Sequence, residues 1–449
     1  MVFSSFTFLL FFMPVTLLGC RFMPKEARMP FLLAVSLLFY AWGSPLWLLL
    51  LLWSMLMNYA GVLLMMRGGR RRRWVLVLLV VLNLLPLFWF KYASFFADTL
   101  KSLTGWAPVF EKPVLPVGIS FFTFQAMSYV IDVWRGEAKA QRNFLVFGVY
   151  LSLFPQLVAG PIVRYIDLEE QLLAHEAASW RDMRDGLRLF CIGLGRKVLL
   201  ADAVGRFWGQ MNADFTQAGA LGAWMGLLAF SFQIFFDFSG YSDMALGLGR
   251  CMGFRFPVNF NRPYRSDSIT EFWRRWHMTL SGWFRAYVYI PLGGSRVPMW
   301  RRDLNLLFVW ALTGLWHGAG WHFVLWGVWF AVLLILEKHL VLNRPWIEKV
   351  PRPVRQLVTF FLVMCGWGLF SGFGLPLVQA MAGCFGAGSP QAMMACAAFA
   401  PLILFCCAVS FLPMPKGRRL PAFAAPVILV LCLAALAAQG YAPFVYFQF

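Results

Sequence analysis

The sequence predicts an all-α, polytopic integral membrane protein, and three observations carry that prediction. Residues are 60% hydrophobic and 13% charged, with a mean hydropathy of +0.67, well outside the range of a soluble globular domain. Apolar runs close to membrane-spanning length follow one another along the chain. Most of the Lys and Arg fall in the short breaks between those runs, which is the pattern of membrane topology.

Crossing a hydrocarbon core of about 30 Å takes about 20 apolar residues. About thirteen candidate runs meet or approach that length: near 2–20, 29–43, 46–66, 74–90, 113–133, 144–161, 186–203, 221–249, 304–316, 321–337, 356–374, 393–412 and 423–439. Arg67 with Arg70 to Arg73, and Lys416 with Arg418 and Arg419, are the strongest basic loops and are expected in the cytoplasm. The Gly43-Ser44-Pro45 junction puts the Arg21, Lys25, Arg28 loop on the same side, so both termini face outward. Counting back from Lys416 places the basic stretch 250–302 in the cytoplasm, whereas counting forward from Arg73 places it outside. One candidate is therefore re-entrant or interfacial, leaving about 11 to 12 transmembrane helices, and such backbone needs a protein-lined or water-lined cavity around it.

The polar stretches 164–185 and 250–302 are too short to bury cores of their own, and no internal repeat is visible, so residues 1–449 read as one membrane domain. The run from Phe3 to Cys20 has no cation ahead of it and no convincing cleavage site, and is read as a retained helix. Nine cysteines lie scattered without metal or disulfide spacing and are expected to be inert. The net charge of +19 is assigned to topology and membrane lipid, not to nucleic acid.

No P-loop, dinucleotide fingerprint, nucleophile elbow or zinc helix occurs, and no metal is expected. Among five histidines, His175 and His339 sit in polar surroundings. His277 lies in Phe272-Trp273-Arg274-Arg275-Trp276-His277, and His317 and His322 in Leu315-Trp316-His317-Gly318-Ala319-Gly320-Trp321-His322. A histidine in an apolar helix is costly to charge and marks a functional candidate. His317 is favoured because the run Leu304 to Trp316 is short and breaks at Gly318, which would leave a neutral imidazole inside the membrane, able to take a proton from an attacking hydroxyl. His322 is read as a core residue. Stretch 250–302 holds ten Arg and no Lys. Of these, Arg274, Arg275 and Arg285 are candidate donor-binding forks, since guanidinium grips phosphate bidentately; topology alone would also explain them. Asp237, Tyr241 and Asp243 lie in an apolar run and are supporting polar candidates, as is Trp316 beside His317. The two carboxylates there are expected to pair with Arg or with a backbone break.

Together these segments resemble the membrane-bound O-acyltransferase family, in particular its bacterial polysaccharide branch, that of the alginate O-acetylation membrane subunit. The likeness covers nearly the whole chain: Leu115 to Gln125, Phe154 to Ile162, Asp237 to Asp243, Trp273 to Arg285, Ile290 to Gly294, Gly314-Leu315-Trp316-His317-Gly318 and Pro443 to Phe449. The resemblance implies that His317 is the essential histidine and His277 a second, supporting position, with helices ringed around a central channel whose funnels meet at the histidine. It also implies acetyl transfer from a cytoplasmic donor such as acetyl-CoA, with no bound cofactor, to an exopolysaccharide such as alginate or cellulose. A separate periplasmic serine-dependent acetyltransferase is the implied partner, and the bacterial inner membrane the implied location. Two rival readings remain: a D-alanyl transfer protein of teichoic acids, and a secondary transporter or export channel, which would show related halves and acidic coupling residues.

Overall fold

A computed structural model of the chain describes residues 1–43, 45–106, 113–158, 160–342, 344–412, 421 and 423–439. The loop holding Lys416, Arg418 and Arg419, the C-terminal run Pro443 to Phe449, Ser44 and Ala159 lie outside the described residues. Among those described, every regular element is helical. Six of the described helices are long and apolar enough to cross a membrane: Pro45–Arg67, Gly69–Thr104, Phe215–Cys251, Trp321–Val341, Arg352–Phe370 and Pro390–Phe411. Phe215–Cys251 is the most interior of them, with 67% of its apolar stretch buried against 17% for Gly69–Thr104. The protein is a multi-pass membrane protein. Other predicted runs appear as shorter, Pro-interrupted or less apolar helices.

Contacts group the described residues into two compact units, residues 1–191 with 241–258, and residues 192–240 with 259–449. In the first, helices α1 (Pro45–Arg67) and α2 (Arg72–Leu87) are joined by a reciprocal amide pair. Asn58 Nδ2 donates to Asn83 Oδ1 at 3.0 Å and Asn83 Nδ2 donates back at 2.7 Å. Each amide also donates one turn back along its own helix, so two buried polar side chains satisfy each other where lipid could not. Arg72 donates to the carbonyls of Val133 (2.8 Å) and Trp134 (2.6 Å) at the C-terminal end of α3 (Ile119–Arg135). A cation there meets the negative end of the helix dipole.

Two of the sequence motifs meet in this unit. Gly118, at φ +75°, starts α3, and a Cβ on it would stand 2.6 Å from the Leu157 carbonyl oxygen. Only glycine permits both the left-handed backbone and that approach. Tyr150 donates to the Gln125 carbonyl (3.1 Å) and Gln156 Nε2 to the Tyr150 carbonyl (2.6 Å), so Tyr150, which lies between the two motifs, ties them together.

The second unit holds residues 215–240 of α4 (Phe215–Cys251), which kinks at Gly219 (φ +61°), and two seven-residue helices, α5 (Ile269–Arg275) and α6 (Met278–Phe284). Seven residues rise about 10 Å, far short of a crossing, yet their apolar side chains are buried; both helices lie in the basic stretch 250–302, outside the candidate apolar runs. Glu337 fixes α5. Its carboxylate accepts the amides of Ile269 (2.6 Å) and Thr270 (2.8 Å) and the Thr270 hydroxyl, placing a negative charge on orphan donors at a helix N-terminus.

Helices α7 (Met299–His317) and α8 (Trp321–Leu336) form a hairpin so close that a Cβ on Gly314 would stand 2.1 Å from the Phe323 carbonyl oxygen, and one on Gly327 2.2 Å from that of Trp310. The helix expected to be short, from Leu304 to Trp316, is longer in the structure. At 19 residues, α7 rises about 28 Å, because Arg301, Arg302 and Asp303 extend it. An apolar-run criterion stops at charge, but a helix does not: Arg302 pairs with Asp303 at 3.2 Å, and His339 Nε2 meets Asp303 at 2.7 Å.

Candidate active site

The Arg-rich segment turns at His277, whose φ of +43° is unusual for a side-chain-bearing residue. Backbone bonds on either side hold the turn: Met278 N donates to the Asn259 carbonyl (3.0 Å) and Asn261 N to the Arg275 carbonyl (2.9 Å). A backbone so constrained is a feature of sites that need one fixed side-chain direction. His277 is 1% exposed, enclosed by the rings of Phe238 (4.7 Å) and Trp316 (5.9 Å).

Asn259 sets the tautomer of that imidazole. Its Oδ1 accepts from the Thr279 amide (3.3 Å) and hydroxyl (2.9 Å), and lies 3.1 Å from His277 Nδ1. The Thr279 amide can only donate, so this atom is the carboxamide oxygen, and His277 must donate to it through Nδ1–H. In the neutral ring Nε2 is then the basic nitrogen. Asn259 carries no signal in the sequence, where Val258-Asn259-Phe260-Asn261 matches no motif spacing.

From this turn, His277, Ser281, Arg285 and Tyr289 follow at four-residue intervals and line one wall of a cavity of about 140 Å³, faced by Val309 and Thr313 of α7. Thr313 stands one turn before His317 on the same face. His317 is the last residue of α7, just before Gly318, and is 7% exposed. Its ring is packed by Trp316 (4.9 Å), Trp326 (4.9 Å) and Phe370 (5.5 Å). Trp316 thus touches both imidazoles, and the two predicted histidines belong to one aromatic cluster.

The three arginines separate. Arg285 lines the cavity with His277. Arg275 pairs with Glu271 one turn away on α5, and Arg274 is exposed outside the cavity lining. His322, past the hairpin turn, is half-buried against Phe323 (4.1 Å).

Asp237 is 1% exposed, and its partner is Lys197, not the Arg expected: Lys197 Nζ lies 2.8 Å from Asp237 and 2.6 Å from Asp202. The sequence signal was a lysine inside the apolar run 186–203, a placement that implies a buried partner. Tyr241 is buried in the first unit, stacked on Phe3 at 4.8 Å, and Asp243 is half-buried.

Comparison with known proteins bears on this arrangement. The family described as "MBOAT, membrane-bound O-acyltransferase family" matches residues 32–367, a span that holds both histidines, Arg285 and the Lys197 cluster. A probable alginate O-acetylase of Pseudomonas aeruginosa is 42% identical over 85% of this chain and 74% of its own length. One from Azotobacter vinelandii is 37% identical over the full length of both. A peptidoglycan O-acetyltransferase of Helicobacter pylori is 34% identical over 82% of this chain and 77% of its own. The chain that builds this buried histidine cluster is therefore an acyltransferase, a member of the membrane-bound O-acyltransferase family.

Proposed function

We propose that the protein takes acetyl groups from cytoplasmic acetyl-CoA and passes them across the bacterial inner membrane for O-acetylation of an exopolysaccharide such as alginate or cellulose. The observation that carries this reading is the cavity in which Arg285, whose guanidinium suits phosphate, lies on the same wall as His277, with Trp316 joining that imidazole to His317. The relatives' names, O-acetylases of alginate and of peptidoglycan, support acetyl as the group moved and a glycan as its destination.

In this reading Arg285 holds donor phosphate at the cavity mouth, and the acyl thioester lies along the wall of His277 and Ser281. His317 accepts the proton of an attacking hydroxyl as its oxygen bonds to the acyl carbon. The carbon–sulfur bond then breaks, the electron pair leaves on sulfur, and the proton held by His317 neutralises the thiolate. His277, locked by Asn259, presents Nε2 to orient donor or hydroxyl. The hydroxyl is that of a serine on a separate periplasmic acetyltransferase, which then acetylates the polymer.

Mass analysis of surface polysaccharide from cells with and without the chain tests the reading. O-acetyl groups are expected only where the chain is intact, and an unchanged acetyl content would overturn it. At finer grain, Arg285→Gln removes a charged hydrogen bond of about 1.5 to 3 kcal/mol and should weaken acetyl-CoA binding roughly 10- to 150-fold. Arg274→Gln should leave donor affinity near wild type. A binding titration on the purified protein distinguishes the two variants.

A further inference from the structure

A second cavity, of about 280 Å³, lies between α8 with its continuation to Val341, the segment at Asp267 to Ile269, and α9 (Arg352–Phe370). One wall is an apolar ridge at helical spacing, Leu333, Leu336 and Leu340, and the opposite wall carries Val358 and Leu362. Both flanking helices are long and apolar enough to cross a membrane, and the cavity sits where Trp321–Val341 ends and Arg352–Phe370 begins. Its mouth is therefore at the boundary between hydrocarbon and water. Trp346, 50% exposed, lines that mouth, the depth at which amphipathic indoles are enriched.

The segment that joins the two flanking helices is cationic. Residues 338–355 hold Lys338, Arg344, Lys349, Arg352 and Arg355 against the single carboxylate of Glu348. Glu337 is committed to the α5 amides. Asp267 is shared by Arg355 at 3.5 Å and Arg352 at 3.7 Å, both longer than the 2.7–2.9 Å of a charge-assisted bond. Arg355 Nε is buried and has no hydrogen-bond partner. Arg355, which lines the slot, and Arg352 beside it share one distant carboxylate, which leaves donor capacity and positive charge at the edge of the apolar slot.

We propose that this cavity binds one anionic phospholipid, an acyl chain lying between the Leu333–Leu340 ridge and Val358, and the headgroup phosphate resting on Arg352 and Arg355. A chain with no charge would leave the guanidinium donors unmet, and a free phosphate would leave the apolar slot unfilled. The site is independent of the acetyl-transfer reading, since none of its lining is shared with the histidine cavity.

The test uses the full-length protein in phosphatidylcholine nanodiscs, with phosphatidylglycerol or phosphatidylcholine brominated on the upper acyl chain added at equal mole fraction. Bromine quenches nearby indole fluorescence, and the difference between wild type and Trp346→Phe isolates the signal of Trp346. Brominated phosphatidylglycerol is expected to quench that signal at several-fold lower mole fraction than brominated phosphatidylcholine, and Arg352→Gln with Arg355→Gln should erase the preference. Equal quenching by both lipids, or none that depends on Trp346, would overturn the proposal. If the double variant does not accumulate, Leu336→Trp fills the slot instead: loss of selective quenching supports the site, and its persistence overturns it.

Discussion

His317→Ala is expected to abolish polymer acetylation at unchanged membrane levels, and His317→Gln to do the same. General-base catalysis contributes typically 10² to 10⁴-fold, and an imidazole packed by Trp316, Trp326 and Phe370 works where water is a poor substitute. Gln keeps much of the polar volume but cannot accept and release a proton near neutral pH, so its failure separates base chemistry from packing. His277→Ala should fall between wild type and His317→Ala, because Asn259 fixes its direction and a residue that orients loses geometry, not the proton acceptor. His322→Ala should be mild, as that ring lies beyond the hairpin turn against Phe323. Acetyl content of the surface polymer, normalised to membrane protein, ranks the three variants.

The second large effect is on stability. Lys197, fully buried, faces Asp202 and Asp237 in the second unit. Lys197→Met leaves two carboxylates without their cation, and breaking a buried pair from one side costs about 3 to 5 kcal/mol, a large share of a typical folding free energy. The variant should fail to accumulate. Adding Asp237→Asn removes one orphaned charge and should recover a measurable part of the lost protein, read by membrane abundance and thermal denaturation. The recovered double variant also decides the role of Asp237. If it acetylates polymer, the carboxylate is structural; if it folds but is inactive, Asp237 takes part in transfer.

The sequence made the membrane class and the two histidines legible because both depend on local pattern. Hydropathy reports the solvent, and a His followed by Gly318-Ala319-Gly320 reports a helix end. Its reading of the Arg cluster was coarser. Ten arginines in one stretch look alike until the fold sends Arg275 to Glu271 and Arg285 to the cavity of His277. That sorting depends on the turn at His277, whose positive φ is imposed by pairing with residues 259–261, a contact with no short-range trace. Asn259 and Lys197 were missed for related reasons. The first is one of two amides in Val258-Asn259-Phe260-Asn261 with no motif spacing, and the other is a cation whose partner, Asp237, lies forty residues away. The length of α7 was misjudged because Arg301 to Asp303 interrupt hydropathy without interrupting a helix. Family membership narrows the rival readings to acyl transfer, so the transporter reading falls, and the choice between acetyl and D-alanyl rests on the donor.

The most direct test of the central claim is transfer in a closed system. Purified protein is reconstituted in proteoliposomes with acetyl-labelled acetyl-CoA on the cytoplasmic side and a serine-dependent acetyltransferase on the other. Wild type should move label onto the acceptor across the bilayer, and His317→Ala, inserted to the same level, should leave it on coenzyme A. Transfer by His317→Ala at the wild-type rate, or label that never leaves acetyl-CoA with the wild-type chain, would contradict the account.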